Sequence, residues 1–513
     1  MVHFAHAMSK GSNGNGNGNG SHGHLVRQIE KKAAQAAVLP HAVKESRMTF
    51  KTAGGVELHG TPVRVTRHMA VFELYNPNVT LQFSEALDGF EITLQAQKVY
   101  SGRATIRNVV NAGTKIICEA TLKETDWTDA NFLPQGGGQL AGEFKTFLKE
   151  WQKLYKVSPE FKVVIADMQM FLQDLRAWLE RMELKTHAFA NPLRTQLERE
   201  AADDLAKPII ETIDLFINKF ESIVSNLEAD AHPGHYAYFR RHLQQLLLVS
   251  PFAHRAFNKP LGYAGDYEMV NMMIRSPYEG DTLFAKIINI WLLKQSPAQA
   301  HRNRVAYLET KLIEETVRVR NEGRPATIFN LGCGPAQEVQ HFLEQHHIYT
   351  SADFTLVDFN EETLAQLDKY LTDISRRLPK PATFRMIKKS VFHILKSGDK
   401  SLLHPSGEKY DYVYCAGLFD YLSDDVCKQM MNIFYGMLAP GGLLLATNAT
   451  EVLNSSRPFR FSMEYILDWH LVYRDQQQFF NLKPDIADDD DVKVIAENTG
   501  TNLFLEVRKP KNV

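Results

Sequence analysis

The chain has 513 residues, 44% hydrophobic and 23% charged, which is enough apolar material for several buried cores. Its 58 basic and 60 acidic residues give a formal charge of −2, and that balance argues against a broad nucleic-acid-binding surface. Four cysteines (Cys118, Cys333, Cys415 and Cys427) are too few for a disulfide framework; with no apolar run of about 18 residues and no secretory pattern at the N-terminus, a cytoplasmic protein without stable membrane insertion is expected.

The first predicted element is a tail. Residues 1–45 contain GSNGNGNGNGSHGH at 11–24, whose glycines and asparagines carry too little apolar surface to offset chain entropy. A flexible segment is expected there, with His22 and His24 in a solvated linker. Residues 46–130 differ. Segments at 55–65, 69–75, 79–83, 90–99, 101–110 and 114–122 are rich in Val, Ile, Thr and aromatics and are separated by Asn, Gly, Asp and Pro. They predict short antiparallel strands forming a small barrel.

Gln135-Gly136-Gly137-Gly138-Gln139 reads as a second linker. A helical region is expected over 140–310. Phe144, Phe147, Leu148, Trp151, Leu154 and Tyr155 recur at spacings of three and four, as do Ile209, Ile210, Ile213, Leu215, Phe216, Ile217 and Phe220. Both stripes are expected to be core. Over 311–513 strand and helix alternate, with strand candidates at 327–331, 353–358, 383–387, 410–416 and 442–448. That rhythm predicts a parallel sheet covered on both faces. Two last strands, 492–497 and 503–508, flank Asn498-Thr499-Gly500-Thr501-Asn502 and read as an antiparallel hairpin.

The chemistry sits in this last region. The first strand enters Gly332-Cys333-Gly334-Pro335-Ala336-Gln337-Glu338, and a helix follows through Val339, Phe342 and Leu343. Glycine at 332 and 334 lets the backbone turn sharply beside a ligand, and the helix beyond offers free N–H groups. Asp358 ends the second strand, 26 residues after Gly332. A carboxylate there can accept both ribose hydroxyls, whereas Asn360 is placed to cap the following helix. Together these signals point to a nucleoside-bearing cofactor. Gln337 stands where a dinucleotide-binding loop has its third glycine, so a dinucleotide is disfavoured.

With its C-terminal hairpin, the region from about residue 300 to 513 resembles the class I S-adenosyl-L-methionine (SAM) methyltransferases. Ala439-Pro440-Gly441-Gly442 fits their turn into strand five. The resemblance implies an α/β fold: a Rossmann-like methyltransferase sheet with a C-terminal antiparallel hairpin, preceded by the helical region and the small N-terminal β-barrel. It implies SAM as cofactor. Asn330, Gly332, Cys333 and Gly334 would lie against its methionine and ribose, Asp358 and Phe359 by the ribose, and Ser390 and Val391 beside the adenine. The strand-four end, Cys415-Ala416-Gly417-Leu418-Phe419-Asp420-Tyr421, would face the methionine and the substrate, with Ala416 and Gly417 against the cofactor. Asn330 and Ser390 stand where the family commonly has acidic residues. The barrel resembles a PilZ domain. PilZ barrels bind cyclic dinucleotides through an arginine pair and an Asp-x-Ser-x-x-Gly turn; Arg64 and Arg67 are too closely spaced and the turn is missing, so a structural or dimerising role is expected instead.

Pro260-Leu261-Gly262-Tyr263-Ala264-Gly265-Asp266-Tyr267-Glu268-Met269, joined to the Asn330–Ala336 block, resembles a group of bacterial enzymes that make the methyl ester of 3-hydroxypalmitic acid. That likeness implies O-methylation of a fatty carboxylate, with Arg304, Arg457 or Arg460 orienting it. Tyr263 would belong to a lid over the cofactor. Asp266, Tyr267, His470 and Tyr473, the last two placed on one helix, are the candidates for binding or deprotonating the acceptor. The alternatives are N- or O-methylation of another small metabolite, or a non-catalytic SAM-binding sensor. A small-molecule substrate is expected, without nucleic acid, since no base-flipping Asn/Asp-Pro-Pro-Tyr/Phe tetrapeptide follows strand four. No metal is expected, because no His/Cys cluster has ligand spacing and Asp488–Asp491 reads as a solvated loop.

Overall fold

The computed structural model describes residues 46–52, 57–74, 81, 85–94, 97–111, 116–128, 139–186, 192–397, 409–451 and 459–511. The expected tail at 1–45, most of the expected strand 79–83, the linker at 135–138 and Arg457 lie outside the described residues. Two compact units are formed, one by residues up to 158 with 228–238, the other by 159–227 with 239 onwards.

The first unit holds a closed barrel of six strands: β1 (Arg47–Lys51), β2 (Glu57–Thr66), β3 (Met69–Leu74), β4 (Ala86–Leu94), β5 (Gln97–Asn111) and β6 (Ile116–Leu122). They close in the order β1-β2-β3-β6-β5-β4. Inward positions alternate with outward ones, and Phe50, Phe72, Phe90 and Tyr100 fill the interior. Two details differ from expectation. β1 is an additional strand, too short for a pattern to show. The break expected near residue 100 falls instead between Leu94 and Gln97, and Ser101-Gly102 continue β5. Gly102 marks a close approach of the Asp126 side chain rather than a turn. Helix α1 (Gln139–Tyr155) follows, and Phe144, Phe147 and Trp151 of its stripe are exposed rather than core, while the side chains of Leu154 and Tyr155 lie outside the described residues. A barrel closed on itself offers such a helix no open apolar face.

In the second unit, helices α2 (Pro159–Thr186), α3 (Leu193–Val224), the end of α4 (His232–Leu247), α5 (Pro251–Asn258), α6 (Tyr267–Ile274) and α7 (Leu283–Leu293) pack with α8 (Ser296–Arg320). Ile209, Ile210, Ile213, Ile217 and Phe220 are buried as expected, but Leu215 is exposed. The sheet that follows has seven strands: β7 (Ala326–Leu331), β8 (Ala352–Asp358), β9 (Thr383–Lys388), β10 (Tyr410–Cys415), β11 (Leu438–Ala449), β12 (Val492–Ala496) and β13 (Asn502–Arg508). Their order is β12-β13-β11-β10-β7-β8-β9, parallel from β11 to β9, with the β12–β13 hairpin antiparallel at one edge. This is the α/β fold expected, with helices α9 (Gln337–Gln345), α10 (Glu361–Arg377), α11 (Val391–Ser397) and α12 (Asp424–Met437) between its strands. One apolar core centres on Phe329, Leu331, Val413, Leu444 and Phe434; the other, on the opposite face, holds Ile328, Tyr412, Tyr414, Leu443 and Phe342. β7, β8 and β9 step one way across the sheet, and β10 then lies on the other side of β7. That reversal opens a crevice at the carboxyl ends of β7 and β10.

Among the described residues no helix is long and apolar enough to cross a membrane. No group of three or more His, Cys, Asp or Glu side chains is arranged to hold a metal ion there either.

Candidate active site

Register aligns the edge of this crevice. Leu331 pairs with Val357 on one side and Cys415 on the other, and Asp358 pairs with Lys388. Gly332, Ala416, Asp358 and Lys388 therefore share one row. Gly332 (φ 67°) and Gly334 (φ 52°) adopt the left-handed conformation, and a Cβ at 334 would project into open space. The loop is pinned from below, since the N–H groups of Gly332 and Cys333 both donate to the Val357 carbonyl, at 2.8 and 3.1 Å. Cys333 itself is buried, and burial pushes its thiol far above the ordinary range.

Asp358 is buried beside this turn. Its Oδ2 accepts the Gly334 N–H at 3.1 Å and its Oδ1 the Asn360 N–H at 2.9 Å. Burial raises the carboxyl above its usual value, partly offset by those backbone donors. Asn360 caps α10, accepting the Thr363 N–H at 3.0 Å, so Asp358 is not the helix cap. The phenyl ring of Phe359 lies 5.4 Å from that of Tyr263. Ser390 and Val391 follow β9, with the Ser390 hydroxyl 2.8 Å from His393 Nδ1 at the start of α11.

Strand alternation turns Asn330 to the α9 face of the sheet, where it is buried and donates to Glu338 Oε1 at 3.2 Å. Tyr414 donates to the same oxygen at 2.8 Å, and burial raises the Glu338 carboxyl. Asn330 Oδ1 is buried without a hydrogen-bond partner among the described residues.

The loop between α5 and α6 lies along the crevice. Tyr263 meets Phe359, and burial together with the nearby Asp358 charge raises its phenol. A Cβ at Gly265 would fall 2.8 Å from the Tyr421 hydroxyl and 3.0 Å from the Trp469 ring. Tyr267 donates to Glu362 at 3.0 Å, and burial and that bond push its phenol up to about 12. Asp266, by contrast, is fully engaged elsewhere. It caps α6 by accepting the Glu268 and Met269 N–H groups, and Arg255 bonds its two oxygens at 2.9 and 3.1 Å. A carboxylate so occupied orders the loop and has no oxygen to spare for a proton-transfer role.

Beyond β11, α13 (Arg460–Leu467) ends at Asp468, and the chain is not helical again until α14 (Gln476–Phe480). His470 and Tyr473 therefore do not share a helix face. The left-handed backbone at Asp468 (φ 53°) stops α13, and Trp469, Val472 and Arg474 spend their N–H groups on Met463, Asp420 and Ala449 carbonyls. His470 is 53% exposed, with Nε2 3.4 Å from Asp468. Tyr473 turns the other way: its hydroxyl is buried without a partner among the described residues, and the Arg460 guanidinium lies over its ring, 4.9 Å from the centroid.

Of the arginines proposed to orient a carboxylate, Arg460 is ion-paired to Glu451 and Glu464. Arg304 is not paired. It reaches from α8 across the end of β10, 2.9 Å from where a Cβ at Gly417 would sit, and forms no ion pair among the described residues. Gly417 (φ 84°) is held by its N–H on Thr447 Oγ1 at 2.9 Å. Tyr421, Trp469, Asp420 and Glu338 also border this region, Asp420 and Tyr421 from the strand-four segment expected to face the methionine and the substrate. Trp469 donates to the Tyr421 hydroxyl at 2.8 Å, and buried Asp420 accepts the Ala449 N–H at 2.6 Å.

Residues 329–444 match the family model of a methyltransferase domain. No curated protein matches the sequence. Among solved structures, a possible exported protein from Bordetella parapertussis is 15% identical, with 54% of this chain and 95% of that chain covered and a TM-score of 0.39. Magnesium protoporphyrin IX methyltransferase from Synechocystis PCC 6803, with bound SAH, is 12% identical over 42% of this chain and 86% of that chain, with a TM-score of 0.29. N-methyltransferase NodS from Bradyrhizobium japonicum is 12% identical over 41% and 97%, with a TM-score of 0.26. The matched segment runs from β7 into β11 and contains the glycine turn, Asp358 and Gly417, so residues 329–444 carry a methyltransferase domain built around the carboxyl edge of the C-terminal sheet.

Proposed function

We propose that the enzyme methylates the carboxylate of a hydroxy fatty acid, releasing its methyl ester. The observation that carries this reading is Arg304: a guanidinium set at the end of β10, in no ion pair among the described residues, is a receptor for a carboxylate. SAM supplies an electrophilic methyl group on a sulfonium. Its ribose would rest on Asp358 and its adenine between Phe359 and the Ser390-Val391 segment, with Asn330, Gly332, Cys333 and Gly334 along the methionine side. Ala416, Gly417 and Tyr263 would close the pocket. The open cradle at Gly334 and the unpartnered Asn330 Oδ1 fit such a ligand.

A carboxylate acceptor is already ionised at neutral pH and needs no general base, so the chain's task is alignment and exclusion of water. Tyr473 has the buried free hydroxyl that could donate to the acceptor. Tyr267 and exposed His470 would stand further out, as rim contacts. Apolar side chains of the helical region, among them Phe161, Phe220 and Phe239, would shelter the acyl chain, with Tyr465 of α13 beside them. The barrel, its interior filled with aromatics, would serve architecture or dimerisation.

The test is product analysis with methyl-labelled SAM and a hydroxy fatty acid. A base-labile label extractable into organic solvent is expected. A base-stable label on another metabolite would move the assignment to N-methylation or to an ether. Tight SAM binding with no transfer to any extract component would favour a sensor.

A further inference from the structure

Arg304 does not stand alone. Its Nη2 lies 2.7 Å from Nδ1 of His301, one turn earlier on α8. A guanidinium only donates, so His301 Nδ1 is the unprotonated nitrogen and the ring carries its proton on Nε2. Burial, with the positive charges of Arg304 and Arg302, keeps this imidazole neutral, well below its ordinary pKa. His301 Nε2 is buried and has no hydrogen-bond partner among the described residues. The side chain therefore accepts from the guanidinium while its other polar atom goes unanswered, an arrangement that packing alone would not favour.

Arginine has several rotatable bonds, and a guanidinium that met a carboxylate within its own protein would fold onto it. Two carboxylates stand close enough to attract it, Asp420 and Glu338, yet neither forms an ion pair with it. Asp420 accepts from the Ala449 N–H, and Glu338 accepts from Tyr414 and Asn330. The acceptor that fixes Arg304 is His301.

We infer that His301 is a positioning residue that holds the Arg304 guanidinium over Gly417 with its remaining edge presented to a ligand carboxylate. The inference rests on the reading of Arg304 as a carboxylate receptor and extends it to a second residue. Two carboxylates can reach such a site: that of the acceptor, and that of the methionine end of SAM. The chemistry is the same, and the experiment separates them.

The full chain is titrated by calorimetry with SAM and with decarboxylated SAM, and methyl transfer to the hydroxy fatty acid is measured, for wild type, Arg304→Gln, His301→Leu and His301→Asn. Asn places an acceptor oxygen where Nδ1 stands; Leu does not. If the carboxylate is the cofactor's, Arg304→Gln and His301→Leu each weaken SAM by about tenfold and leave decarboxylated SAM unchanged. If it is the acceptor's, SAM affinity holds and the KM for the fatty acid rises by about tenfold with kcat within about threefold. In either case His301→Asn restores most of the loss, which a merely structural role would not require. His301→Leu matching wild type while Arg304→Gln is impaired overturns the His301 assignment alone. Arg304→Gln matching wild type in both assays overturns the receptor reading and this inference with it.

Discussion

Lys259 and Asp468, 209 residues apart, are joined by an ion pair, with Nζ 2.6 Å from the Asp468 carboxylate and 2.7 Å from its main-chain oxygen. Both residues adopt the left-handed backbone conformation, at φ 47° and 53°, and each ends a helix. The loop that runs along the crevice and the coil that carries His470 and Tyr473 thus start from one tether. Arg240 and His470 also face Asp468, each at 3.4 Å.

Two substitutions at 468 separate the tether from the backbone. Asp468→Gly removes the carboxylate but suits the left-handed conformation; Asp468→Ala removes the carboxylate and adds strain. The alanine variant is expected to be less stable than the glycine variant by about 1 kcal/mol in chemical denaturation. Both should lower methyl transfer, because either one frees the coil from Lys259. Equal stability of the two variants would argue against strain at this residue.

Gly265 tests whether the α5–α6 loop must lie close to the crevice. A Cβ there would meet the Tyr421 hydroxyl at 2.8 Å and the Trp469 ring at 3.0 Å, both fixed by their mutual hydrogen bond. Gly265→Ala is expected to push the loop outward at a cost of about 1–3 kcal/mol. Calorimetry should show weaker SAM binding, with thermal unfolding of the whole chain much less affected.

Asp358 sets a pH dependence. Its folded-state pKa is raised by burial above the ordinary 3.8. Its linkage contribution to stability is therefore fully present below 3.8, is lost as pH rises through the raised folded value, and is absent at neutral pH. The neutral-pH form is the carboxylate that ribose hydroxyls would donate to. SAM affinity should consequently fall as pH is lowered through a midpoint above 3.8, and Asp358→Asn should bind weakly with no such midpoint. A wild-type midpoint at or below the ordinary value would assign the ribose to another group.

Glu221 holds the far side of the site together. This buried carboxylate on α3 accepts the Phe461 N–H at 3.2 Å and, at 2.6 Å, both the N–H and the hydroxyl of Ser462. The first turn of α13 has no side-chain cap of its own, so its exposed N–H groups are satisfied from α3. Glu221→Ala is expected to cost about 3 kcal/mol of stability, read by denaturant titration, because it removes the acceptor of the buried Ser462 N–H and hydroxyl and of the half-buried Phe461 N–H. Glu221→Gln, which keeps one acceptor oxygen, should recover part of that loss.

What could be read along the chain was local. The rhythm of strand and helix from β7 to β11, the Gly332–Gly334 turn, Asp358 at a strand end and the closing hairpin each follow from a pattern within a short stretch of chain. Backbone period and turn chemistry decide such features before any tertiary contact forms. The barrel was legible for the same reason, though β1 was too short to show and Gly102 resembled a turn residue.

The partners of individual side chains were not legible, because folding alone brings them together. Asp266 looked like a free acid until Arg255 and the first turn of α6 took up its oxygens. His470 and Tyr473 looked like neighbours on a helix until the left-handed turn at Asp468 sent one outward and the other inward. Phe144, Phe147 and Trp151 on α1 had the spacing of a core helix and stayed exposed, since apolar periodicity states what a helix could bury and not whether a surface exists to bury it. Arg304 over Gly417 bridges 113 residues of sequence, and no local period encodes that distance. Sequence alone determined the sheet, its glycine turn and the carboxylate beside it, whereas tertiary packing decided which charges remain free to meet a ligand.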